Sequence, residues 1–208
     1  MSVREGAKEA LPTFYLTLVS MISSLALGYF CSTLEFNKLF GNGWSFVYLC
    51  KVFATFEMIL LVWHEYVMGT IFFRWVIGYS DSIILFLFGI VLFATIRVIN
   101  SSLSTWLLMQ AFFALLGSWA YWNQFWKAKR EEENAKVFDI ISFHHVMISL
   151  TVVSAGLFIL GSVVSNYWPS SNLVQRLLTG AANVVYLGIA VASYFLREPV
   201  LRKSPPWA

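Results

Sequence analysis

The chain has 208 residues, of which 59% are apolar, 18% aromatic and only 12% charged, with a formal net charge of +3. A soluble domain carries about 25% charged residues, so this composition, with a mean hydropathy of +0.71, excludes an ordinary water-soluble globule. The modest charge includes no basic block of the kind that binds nucleic acid, and the length suits a single transmembrane domain over 1–208.

The opening MSVREGAKEALP mixes both charge signs, and the apolar run behind it is too long for a cleavable signal core. A spanning helix needs ~20 mostly apolar residues, because the hydrocarbon layer is about 30 Å thick. Six segments qualify: 11–32, 45–68, 82–100, 103–126, 140–165 and 172–196. Backbone polar groups must be satisfied internally in lipid, so these are helices. No segment alternates at period two as a barrel strand does. The expected fold is all-α: a polytopic membrane protein with six transmembrane helices in one compact bundle.

Lys and Arg counts orient it. Arg4, Lys8, Arg74, Lys127, Lys129, Arg130, Lys136, Arg197, Arg202 and Lys203 fall on one side, and Lys38, Lys51, Arg97 and Arg176 on or towards the other. The richer side is cytoplasmic, which places both termini there. It is called the inner side below.

Span 1 carries a small-polar stripe of Thr13, Thr17, Ser20, Ser24 and Gly28. Span 2 carries Ala54, Glu57, Leu61, His64 and Met68 on one face. Between spans 2 and 3, TIFFRWVIGYSDS (70–82) is amphiphilic and suits the inner interface. Within it RWVIGYSD resembles the R-x-x-x-F-S-D signature of the endolysosomal potassium channel family. Here the Arg stands one residue further off and the motif precedes span 3 rather than lying in the first span, so no residue roles follow.

Span 3, interrupted only by Gly89 and Thr95 between Ile83 and Ile96, is expected to face lipid or another subunit, which makes a homo-oligomer the expected assembly. Span 4 has Gln110, Ala114, Gly117, Tyr121 and Gln124 on one face. The loop KAKREEENAK pairs Lys127 with Glu131, Lys129 with Glu133 and Glu132 with Lys136 at i,i+4, predicting that span 4 continues into water as helix. Asp139 reads as the N-cap of span 5. Span 5 offers Ser142, His145, Ser149 and Gly156, and span 6 offers Arg176, Thr179, Asn183, Tyr186, Ala190 and Ser193. NYWPSSN (166–172) is the turn between them. Trp119, Tyr121, Trp122 and Trp126 suit an inner interfacial belt, and Trp44, Tyr167 and Trp168 an outer one. Cys31 and Cys50 fall near the outer ends of neighbouring spans, where two small buried residues are a better reading than a disulfide. No internal repeat of the inverted-transporter kind is legible.

Glu57 stands out. An ionised carboxylate at mid-bilayer costs at least several kcal/mol unless it is paired, hydrated or protonated, so such groups are functional candidates by default. With His64, Glu65, His145 and Asn183 it forms a candidate pore or proton path. Lys51, Arg97 and Arg176 form a candidate outer basic mouth. His64 and His145 with a carboxylate such as Glu65 are of the right type for a divalent metal, although the order is not H-E-x-x-H. A haem held by His64 and His145 asks only that two helices face each other. No nucleophilic triad, P-loop or dinucleotide fingerprint is present. The leading expectation is membrane transport without a resident cofactor, as an oligomeric ion channel or a small proton-linked transporter. The alternatives are a membrane enzyme using the inner His/Glu group, or a non-catalytic subunit offering SPPWA to a partner.

Overall fold

In a computed structural model, the protein is described over residues 3–72, 78–131, 134 and 140–201, with backbone alone at 3–12, 71, 140–141 and 199–201. The described residues are helical and contain no strand: α1 (Val3–Thr33), α2 (Phe36–Phe40), α3 (Phe46–Phe72), α4 (Tyr79–Arg97), α5 (Leu103–Ala128), α6 (Ile140–Tyr167) and α7 (Asn172–Leu201). All but the five-residue α2 contain an apolar stretch of 19–27 residues, enough to cross a membrane. The chain is therefore a multi-pass membrane protein whose surroundings are a lipid bilayer.

The six long helices close into a ring. α1 packs on α3, α3 on α7, α7 on α6, α6 on α5, α5 on α4, and α4 back on α1. Each expected span is present, with shifts at the ends. Span 3 begins at Tyr79, because Asp81 caps the helix by accepting from the Gly78 backbone N–H at 2.7 Å. Span 4 stops at Ala128 instead of running on into KAKREEENAK. The Asn134 side-chain amide donates to the last carbonyl, Ala128 O, at 2.9 Å, and Lys127 pairs with Asp81. Arg74 and the expected N-cap Asp139 lie outside the described residues.

α4 buries one face, with Ile84, Leu85, Phe88, Gly89, Leu92, Thr95 and Ile96, and exposes Phe86 and Ile90 on the other. A Cβ at Gly89 would come within 3.3 Å of Ile22 on α1, so glycine there permits the close approach of the two helices. The stripe of α1 points outward instead: Thr13, Thr17, Ser24 and Gly28 are exposed. Cys31 and Cys50 are both free, and Cys31 is exposed.

Both termini belong to one end of the ring, called the terminal end here. At the opposite end, Lys51 is the main tie. Its ammonium is buried, donates to Ser101 O at 2.8 Å and Ile99 O at 3.3 Å, and lies 6.0 Å over the Trp106 ring. A cation there meets the carbonyl-rich end of α4, where the helix dipole favours it. Trp106 itself is fully buried and donates to Thr55 Oγ1 at 3.2 Å.

Candidate functional site: a cavity between two buried ion pairs

Two carboxylates organise the terminal end. Asp81, in the first turn of α4, accepts from Gly78 N and, at 2.7 Å, from the Asn123 amide, and is paired with Lys127. Asn123 is held in that orientation because its oxygen accepts from Ser80 Oγ at 3.1 Å. Tyr15 Oη donates to the Asp81 carbonyl, which brings α1 to the same point.

Glu65 sits on α3 and is held more tightly. Its Oε2 accepts from Tyr121 Oη at 2.7 Å and Arg197 Nη2 at 2.8 Å, and its Oε1 accepts from Ser193 Oγ at 2.6 Å and Arg197 Nη1 at 3.2 Å. This two-point fork is the geometry guanidinium offers a carboxylate. Arg197 is fully buried, with its guanidinium 4.8 Å over the Phe143 ring. One ion pair thus joins α3, α5, α6 and α7. Arg197 had been counted with the tail beyond span 6. The clue lay in the stripe of that span, which reaches position 197 four residues past Ser193.

Between the two acids lies a cavity of about 80 Å³. Every long helix contributes to its wall: Tyr15 from α1, Tyr66 from α3, Phe88 from α4, Phe113 from α5, Thr151 from α6 and Tyr186 from α7. Glu65 and Asp81 line it as well, and among the described residues no Lys, Arg or His does. One water occupies roughly 10–15 Å³ on this measure, so there is room for about six. Part of the wall is a chain of aromatic contacts. Ring centroids step from Tyr15 to Tyr66 (5.7 Å), Phe88 (5.9 Å), Phe113 (5.4 Å), Tyr186 (6.0 Å) and Phe158 (5.8 Å). Most of these contacts are edge-to-face, the arrangement the ring quadrupole favours.

Beyond the cavity the stack continues to Phe158, which is not part of its wall. Tyr186 Oη donates to Gln110 Oε1. Above it Trp106, Leu107, Met58 and Leu92 fill the bundle axis. Glu57 lies on the flank of α3, within electrostatic reach of Tyr186. Its Oε2 is buried and has no donor among the described residues. The fully buried Gln110 likewise has an unpartnered Nε2.

The expected site residues divide accordingly. Glu65 lines the cavity. His64 lies beside it, with Nδ1 3.4 Å from Glu65 Oε1 and a side chain 40% exposed. His145 is exposed, its ring against Phe125. His64, Glu65 and His145 do not converge, and no three His, Cys, Asp or Glu groups among the described residues are placed to hold a metal. Asn183 bridges α7 to α3 by donating to Thr179 O and Cys50 O. The expected outer mouth is dispersed: Lys51 is the buried tie, Arg97 is exposed, and Arg176 is exposed with its guanidinium 5.9 Å from the Phe46 ring. The residues that sequence reasoning left out are Arg197, Asn123, Tyr15 and Tyr66. Tyr121, expected both on the stripe of span 4 and in an interfacial belt, follows the stripe and is a buried donor to Glu65.

Site and fold together define an α-helical membrane bundle with a cavity lined by residues of all six long helices. No protein-family profile, curated protein or solved structure matches the chain.

Proposed function

We propose that the chain is a membrane transport protein and that the cavity is its vestibule. The observation that carries this is the shared wall: all six spanning helices contribute to one chamber lined by Glu65 and Asp81, for which the aromatic stack would serve as the seal. A bundle that needed only to pack would fill its axis there, as this one does above the seal. The Lys and Arg distribution places the vestibule towards the cytoplasm. Phe113 and Tyr186 are the gate, and the half-buried Glu57 is the next polar station beyond it.

Reconstituted into liposomes, the wild-type protein is expected to move small ions faster than protein-free vesicles do. Phe113→Ala shortens the seal and is expected to raise that rate about tenfold, equal to ~1.4 kcal/mol off the barrier. Vesicles holding folded wild-type or Phe113→Ala protein that leak protons, cations and anions no faster than empty ones would rule transport out.

A further inference from the structure

We infer that the cavity binds a small protonated amine of the ammonium type, with Asp81 as its counter-ion and Lys127 as a tethered cation that it replaces. The inference rests on the transport reading, for which it names the solute class. The wall selects the sign of charge. It presents two carboxylates and the π systems of six rings, Tyr121 included, and no cationic side chain among the described residues. Aromatic faces attract weakly hydrated ammonium-like cations. They offer little to a divalent metal, which demands an oxygen shell and finds no cluster of ligands here. The volume of about 80 Å³ limits the guest to a few heavy atoms.

The two acids are not equivalent. Glu65 is committed to a guanidinium that is itself buried and stacked, and its side chain takes donors from Tyr121 and Ser193 as well. Asp81 has a looser cation. Lys127 stands in the last turn of α5 with its side chain 20% exposed, a single charge on a flexible stem. Such a stem reaches the interface without leaving the apolar surface. When the ammonium of Lys127 departs, Asp81 keeps its place, because Gly78 N and the Asn123 amide still hold both oxygens. The missing side chain at Gly78 makes room for the lysine ammonium at that carboxylate, since a Cβ would lie 3.2 Å from Lys127 Nζ. An amine entering from the cavity thus finds an acid already positioned, with one competitor to displace.

The competition makes a prediction that a structural ion pair does not. Thermal unfolding of the purified full chain is followed against methylammonium chloride, with sodium chloride at equal ionic strength as the control. Methylammonium is expected to raise the midpoint saturably and sodium is not. Lys127→Gln, by removing the competitor, is expected to lower the half-saturating methylammonium concentration about tenfold. Tyr66→Leu leaves both ion pairs intact and is expected to raise it about fivefold. Equal shifts from sodium, or a Lys127→Gln protein that responds no better than wild type, overturn the inference. Methylammonium flux into liposomes separates the two claims. Binding without flux upholds the site and removes the transport reading; flux of other ions without methylammonium binding does the reverse.

Discussion

Arg197→Met is expected to cost the folded protein about 3–5 kcal/mol, the usual penalty for leaving one member of a buried ion pair alone. The substitution keeps most of the side-chain volume and the contact with Phe143, so the loss reports on charge. Glu65 would remain with Tyr121 and Ser193 as donors but without the two-point fork. A carboxylate so placed recovers little from solvent, since its side chain is only 13% exposed. The double variant Glu65→Met with Arg197→Met removes both charges and is expected to regain most of the loss, because two apolar chains pack in the same space. Unfolding of the detergent-solubilised protein measures all three. A single variant within about 1 kcal/mol of wild type would mean that water reaches the pair and that α3 and α7 are joined without it, by packing and by the Asn183 and Ser193 hydrogen bonds.

Lys51→Met is expected to cost about 2–3 kcal/mol, in the range for hydrogen bonds to a charged group. Lys51 donates to two carbonyls that end α4 and start the turn to α5, and Met leaves both without that donor. The same experiment decides between two roles for this cation. As a tie, its loss lowers stability and leaves ion selectivity in liposomes unchanged. A vestibule residue would behave the other way, with altered selectivity and little change in unfolding. The geometry favours the tie, because Lys51 is 5% exposed.

The faces of the helices were less legible than their existence. On α5 and α7 the polar stripes point where expected: Ala114, Gly117, Tyr121 and Gln124 line the cavity, and Thr179, Tyr186 and Ser193 are buried. On α3 the inward face is Leu61, Val62, Glu65 and Gly69, turned by about one residue from the Glu57–His64 face. On α6 the expected stripe of Ser142, His145, Ser149 and Gly156 is exposed, and Phe143, Met147, Thr151 and Phe158 are inside. Small hydroxyls were the misleading sign. Thr17 donates to Thr13 O at 3.0 Å and so satisfies itself one turn back, which lets it face lipid at little cost. Thr95 does the same with Val91 O at 2.8 Å, yet is fully buried. A residue that closes its own hydrogen bond carries no information about its side of the helix.

By itself the sequence determined that the chain crosses a membrane six times as helices, because run length and the need to satisfy backbone groups in lipid leave no other solution. It marked Glu57 as the acid requiring company, and listed Glu65 only as a member of the same path; the structure leaves Glu57 Oε2 without a donor among the described residues and surrounds Glu65. Only the tertiary structure decided the partners of Glu65: Arg197 from the end of the last span, Tyr121 from the fourth and Ser193 from the sixth. It also decided that the face of α4 carrying Ile84, Phe88 and Leu92 is buried and the stripe of α1 is not. In water a helix shows its buried side by contrast between apolar and polar faces. In a bilayer the solvent is as apolar as the core, so that contrast vanishes and the partners across the bundle alone set each helix's rotation.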